Sequence, residues 1–254
     1  MKSIKFAIPS FVTSLAILSG CLSITYSALD NITLAAYFIM VAAVFDFFDG
    51  FLARSLKVIS AFGKQLDSLA DVINFGMAPA MIVYRMIYRS LVELEPSSQF
   101  NITDPGFAYY VLLNVSFLIV IFAAIRLAKF NIDEKQKKSF RGLPSPANAL
   151  FIASFGIAAE NYLTLPLYQL TYNIWFLIAM VFVLSILMVS NIPMFSLKFE
   201  NYKITNNLLR YAFLLLSLVL LVIFRIPGIA LIVVLYVLLS LTARIFGARD
   251  TQKP

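Results

Sequence analysis

Asp46-Phe-Phe-Asp49-Gly50-Phe-Leu-Ala53-Arg54, followed by Gly63, Asp67 and Asp71, sets four carboxylates in strongly apolar sequence. A charged side chain at the centre of a membrane helix disfavours insertion by roughly 2.5–3.5 kcal/mol. Four in one segment need compensation, and a bound cation is the obvious candidate.

The surrounding composition settles the class. Hydrophobic residues make up 61% of the 254 and charged residues 13%, with a mean hydropathy of +0.89. An ordinary soluble domain carries nearly twice that share of charge, so an all-α, polytopic membrane helical bundle is expected. A helix needs about 20 apolar residues to cross the hydrocarbon core. Eight stretches meet or approach that length: 11–29, 33–53, 67–88, 107–128, 147–166, 172–192, 208–224 and 228–245. Short polar connections separate them, so the chain reads as a single integral membrane domain over 1–254, with no internal repeat. Every residue of chemical promise precedes position 150. Residues 8–192 therefore read as a catalytic core and 208–245 as a helical extension.

Lysine and arginine orient the bundle. A cytoplasmic N-terminus leaves only Arg85, Arg89 and Arg225, of 20 basic residues, on the opposite side, as the positive-inside bias requires. The aspartates then lie one or two turns into the membrane from the cytoplasmic face. The formal charge of +7 follows from the same bias and suits anionic headgroups, not nucleic acid. Met1 to Pro9 reads equally as a short interfacial helix or a frayed terminus. Leu18-Ser-Gly-Cys21 has the look of a lipidation signal, but apolar sequence continues through Leu29, so a retained helix with a buried, inert cysteine is expected.

Helical spacing groups the acids. Asp46 and Asp49 share one face of the second span, extended by Ala53, while Gly63, Asp67 and Asp71 recur every four residues along the third. Two helices joined by a short loop can point all four carboxylates into one cleft. This is an oxygen-only donor set in a chain without histidine, suited to magnesium, manganese or calcium in preference to zinc or copper. Gly50, Ala53 and Gly63 keep the helix surfaces low enough for a bulky ligand. Arg54 adds a fixed cation fit for a diphosphate. Together these features describe phosphoryl or phosphatidyl transfer.

The pattern D-x2-D-G-x2-A-R-x8-G-x3-D-x3-D resembles the signature of the CDP-alcohol phosphotransferases, and all eight fixed positions match. The resemblance implies a six-helix core, which the two C-terminal transmembrane helices exceed, a homodimer, and family roles that map onto this chain as follows. Asp46, Asp49 and Asp67 would hold metal, about two divalent cations (Mg2+ or Mn2+, with Ca2+ an alternative occupant). Asp71 would be both ligand and catalytic base, and Gly50, Ala53, Arg54 and Gly63 would contact the CDP moiety.

The stretches Phe62 to Pro79, Arg126-Leu-Ala-Lys-Phe-Asn131 and Phe140-Arg-Gly-Leu-Pro-Ser-Pro146 resemble the phosphatidylserine synthase branch, from about Ile8 to residue 190. Ser10 and Ser14 depart from it where relatives often carry asparagine. The branch implies CDP-diacylglycerol and L-serine as substrates, an inner-membrane location and a cytoplasmic active site. Asn74, Arg126, Asn131 and Arg141 are the candidate serine contacts; Lys129 reads more readily as a positive-inside residue, and Lys135, Lys137 and Lys138 as a solvated loop. Glycerol phosphate or inositol phosphate remain alternative acceptors. A cation pathway through the carboxylates is the alternative from another class.

Overall fold

The computed structural model describes residues 2–58, 60–94, 106–132, 141–161, 164, 168–169, 171–194 and 207–245. These form eight helical rods. The first two are α1 (Lys2–Ala28) and α2 (Ile32–Ser55). The third joins α3 (Ala61–Val72) to α4 (Ala78–Arg89) through a π turn at Ile73–Met77. The fourth joins α5 (Gly106–Asn114) to α6 (Leu118–Ile132) through a single 3-10 turn. The remaining four are α7 (Ser145–Asn161), α8 (Ile174–Val189), α9 (Leu208–Phe224) and α10 (Gly228–Ile245). Among the described residues there is no strand, only one bridge between Arg141 and Pro193.

Four rods are long and apolar enough to cross a bilayer: Ala7–Ala28, Ile32–Ser55, Ala61–Val92 and Gly106–Ile132. Shorter apolar helices accompany them at Ile174–Val189, Leu208–Phe224 and Gly228–Thr242. Large apolar side chains such as Phe11, Leu18, Phe47, Trp175, Leu215 and Val222 face outward, as a lipid environment favours. The protein is a multi-pass membrane protein.

Small residues bring the helices together. α1 runs along α2, and the inner face of α2 is Ile32, Ala35, Ala36, Ile39 and Ala42, all essentially inaccessible. Low side chains let backbones approach where apolar burial alone gives little drive between helices. Gly156 of α7 shows the same economy, since a Cβ there would stand 2.9 Å from Ile32 Cγ2.

Three features depart from the sequence reading. The first helix begins at Lys2 and carries Pro9 inside it, with Thr13 Oγ1 donating to the Pro9 carbonyl at 3.0 Å, so the N-terminal stretch is neither a separate interfacial helix nor frayed from Lys2 onward. Cys21 is exposed on the outer face of α1 and is not buried; it falls between the inward positions Gly20 and Ser23. The third rod begins at Ala61, six residues before the expected start, because Ser60 caps it by accepting from the Gly63 amide at 2.9 Å. That rod is also widened by the π turn. Pro79 lies just beyond it, where its ring would crowd the carbonyl of Phe75 in a regular helix. The turn makes room, and the Ala78 amide bonds Ile73 instead.

Candidate active site

The C-terminal half of α2 and the start of α3 bring their acids together as the spacing demands. Asp46, Asp49 and Asp67 each offer a carboxylate oxygen, all within 4.8 Å of one another. Asp71, one turn further along α3, stands beside Asp46 at carboxyl–carboxylate hydrogen-bonding reach. Asp49 Oδ2 and Asp71 Oδ1 are buried without a hydrogen-bond partner. Buried oxygens of that kind are costly unless something binds them. A compact set of carboxylates with two such oxygens fits a hard divalent cation, with Asp46, Asp49 and Asp67 as the residues to hold it and Asp71 beside them.

A cleft of about 180 Å³ opens onto these acids. Asp49, Gly50, Ala53, Gly63 and Asp67 line it together with Pro9, Ser10 and Thr13 from α1, and Val58, Ser60 and Lys64 from the turn into α3. A Cβ on Gly50 would meet nothing within 4 Å, so the residue keeps the wall low. Gly63 is tighter, with Ser60 Oγ 3.0 Å from a notional Cβ. Arg54 does not line the cleft: it is exposed and donates from Nε to the Gly50 carbonyl at 3.0 Å. The cation on the cleft wall is Lys64.

The candidate acceptor residues divide. Arg126 of α6 is largely buried, donates to Ser145 Oγ of α7 at 3.2 Å, and acts electrostatically on Asp71. Lys129 and Arg141 join Arg126 around a small recess closed by Ser190 and Asn191. Asn131 lies apart from that recess, donating to Ser68 Oγ of α3 at 3.0 Å. Asn74 sits in the π turn, fully buried, with neither amide atom partnered. Its Oδ1 faces α1, where a Cβ on Gly20 would come within 2.1 Å. The loop lysines Lys135, Lys137 and Lys138 lie outside the described residues.

Several lining residues escaped the sequence reading. Pro9 and Thr13 enter the cleft from α1, outside the motif, and Lys64 enters it from a position that the motif leaves open beside Gly63. Asn148, one turn along α7 from Ser145, is fully buried with both amide atoms unpartnered. An asparagine within the apolar run Ser145–Asn161 was the available signal. Ser10 lines the cleft at one of the positions that departs from the branch pattern, whereas Ser14 is spent on its own helix, donating to the Ser10 carbonyl at 2.9 Å.

A lipid-embedded cleft with clustered carboxylates, low helix walls and a flanking cation defines a membrane enzyme acting on a phosphorylated lipid. The family model for CDP-alcohol phosphatidyltransferases matches residues 6–188, and the chain belongs to that family. Among its relatives, the CDP-diacylglycerol–serine O-phosphatidyltransferase of Helicobacter pylori is 32% identical over 200 residues, covering 78% of this chain and 73% of the relative. The enzyme of that name from Bacillus subtilis is 34% identical over 150 residues, 58% of this chain and 75% of its own. An archaetidylserine synthase from Methanothermobacter thermautotrophicus is 36% identical over 151 residues, 59% and 57% of the two chains. Family membership favours the transferase over a cation pathway.

Proposed function

We propose that this protein transfers the phosphatidyl group of CDP-diacylglycerol to L-serine, giving phosphatidylserine and CMP, at the cytoplasmic face of the cell membrane. The observation that carries the chemistry is the convergence of Asp46, Asp49 and Asp67 with Asp71 beside them. The serine assignment draws on relatives named for that acceptor, and the orientation on the basic residues gathered at the aspartate end. By the family resemblance, the working unit is a homodimer.

Acyl chains remain in lipid while the headgroup enters the cleft over Gly50, Ala53 and Gly63, with Lys64 on its wall and Arg54 as a candidate contact outside it. Magnesium or manganese bound by the aspartates would supply charge neutralisation for the diphosphate and its leaving group. Asp71 takes the proton from the serine hydroxyl, whose oxygen forms the new bond to the phosphorus bearing diacylglycerol as the bond to CMP breaks. Arg126 holds the serine carboxylate from the opposite side of Asp71. Asn74, Asn131 and Arg141 are further candidates for the acceptor, and the buried amides of Asn74 and Asn148 offer donors and acceptors to a polar ligand.

The test is CMP release by purified protein supplied with CDP-diacylglycerol and magnesium or manganese, with serine, glycerol phosphate and inositol phosphate in parallel. Release with serine alone is expected. Release with a phosphorylated acceptor instead would overturn the acceptor assignment, and no release with any would overturn the transferase reading. Asp71→Asn should lower turnover by about 10²–10⁴-fold while nucleotide binding persists.

A further inference from the structure

The family match ends at residue 188, and α10 lies beyond it. This helix packs along α7 but barely meets α8, and α7 and α8 touch little. The three therefore frame a slot of about 240 Å³ in which every lining residue is apolar. Leu143, Leu184 and Val233 form its buried floor, while Val183 of α8 faces Val234 and Leu238 of α10 across exposed rims. Water in such a slot is disfavoured, and in a bilayer an acyl chain fills it. Lipid tails are as apolar as leucine, however, so the slot locates a chain without choosing a lipid. The choice falls to what stands at its end.

At the aspartate end the slot meets the recess lined by Arg126, Lys129 and Arg141. One strap joins the two: Leu143 and Leu187 line the slot, Arg141 and Met188 line the recess, and the Leu143 amide donates to the Leu187 carbonyl at 2.9 Å. Gly142 lets the strap lie flat on the end of α8, with φ at +72° and a notional Cβ only 2.5 Å from the Met188 carbonyl oxygen. Arg126 is the part-buried wall of the recess, bonded to Ser145. Lys129 and Arg141 are exposed, and among the described residues no acid pairs with either. Two open cations at the head of an apolar slot match a phosphate at the head of an acyl chain. We propose that the slot between α7, α8 and α10 binds an anionic phospholipid of the surrounding bilayer, with a chain between the rims and its phosphate on Lys129 and Arg141. The site is separate from the substrate cleft, with which it shares no lining residue. It leaves Arg126 to the acceptor, assigns Arg141 to a lipid phosphate, and gives α10 a ligand of its own.

Native mass spectrometry of the full chain, delipidated in detergent and titrated with phosphatidylglycerol or phosphatidylcholine of matched chains, tests the site without any turnover. Phosphatidylglycerol should bind about tenfold more tightly, and Lys129→Gln or Arg141→Gln should each remove about fivefold of that binding, the contribution of one cation beside an anionic headgroup. Val234→Trp, which lays an indole across the slot from its rim, should weaken both lipids. Val222→Trp, on the outward face of α9, should weaken neither. One equivalent of CDP-diacylglycerol with magnesium should leave phosphatidylglycerol bound. Both charge variants lie at exposed positions, so they decide the question even if Val234→Trp does not fold. Equal binding of the two lipids, or a preference that survives both charge variants, overturns the proposal. So does displacement by CDP-diacylglycerol, which would make the slot part of the substrate's own site. A changed oligomeric state in Val234→Trp with lipid binding intact also overturns it, since the slot would then be a contact between copies of the chain.

Discussion

At the end of the bundle opposite the aspartate cleft, the acids have cationic partners. Arg85 Nε reaches Asp30 Oδ1 at 2.5 Å and Arg89 reaches the same oxygen at 2.6 Å. Arg89 also pairs with Glu160, and Tyr172 donates to that same carboxylate. This cluster ties the α1–α2 turn to α4, α7 and the approach to α8. Asp46 lies about 24 Å away along α2 by helix rise, among three other carboxylates of which Asp71 feels the Arg126 guanidinium, itself bonded to Ser145. Paired charge holds helices together, whereas unpaired buried charge is retained for a ligand.

The largest test of that contrast removes one member from the unpaired end. Asp67→Asn should lower turnover by about a thousandfold or more, as for loss of a group acting on developing charge. Its thermal midpoint without divalent metal should not fall, because a repelling charge has been removed and no ion pair broken. Activity and midpoint measured on one preparation check both parts. A drop in metal-free stability would mean that Asp67 is part of the scaffold.

The matching change at the paired end should do the reverse. Arg89→Leu leaves Glu160 without its cation and Asp30 with Arg85 alone, and breaking this part-buried pair costs at most about 3 kcal/mol, read as a lowered unfolding midpoint in detergent. Turnover per folded molecule should stay at the wild-type level. A selective loss of turnover without loss of stability would erase the distinction between the two ends.

A smaller effect is expected between the ends, where α1 meets the π turn. Gly20→Ala would put a methyl group 2.1 Å from Asn74 Oδ1, and overpacking of this kind costs about 1–3 kcal/mol. Asn74 must then move, so the serine KM should rise while that for CDP-diacylglycerol holds. An unchanged serine KM would detach Asn74 from the acceptor.

The two ends also differ in how plainly the sequence announces them. Asp46, Asp49, Asp67 and Asp71 are legible because they lie on two neighbouring helices at spacings of three and four, which fixes their common faces. Asp30, Arg85, Arg89, Glu160 and Tyr172 come from four separate segments, and their meeting depends on how the helices pack, which periodicity does not encode. The π turn was hidden likewise: Pro79 signals a disturbance, but not that the helix widens before it. Arg54 had the right spacing, yet its exposed side chain donates to the Gly50 carbonyl of its own helix. Thr13 carried no signal beyond residue type, and Lys64 stood beside Gly63 at a position the motif leaves open.

The smallest effect is expected from the Asp30 pair on acid titration, read as the difference between wild type and Asp30→Asn. The hydrogen bond from Arg85 holds the Asp30 carboxyl below the usual carboxylate range, and Arg89 adds to this while partial burial opposes it. Glu160 and Tyr172 face Arg89 across the same cluster, so the two arginines are the cations that set the direction. With the folded value depressed, the stabilisation is complete above the unfolded value of about 3.9 and is lost as pH falls through the folded one. Wild-type stability should therefore show no pH dependence from Asp30 between neutrality and about pH 5, then decline below about pH 4. Asp30→Asn lacks this acid-dependent loss and starts from a lower midpoint. Identical acid limbs in the two proteins would mean that Asp30, more than a third exposed at its side chain, is screened by solvent and contributes geometry to the turn, not charge.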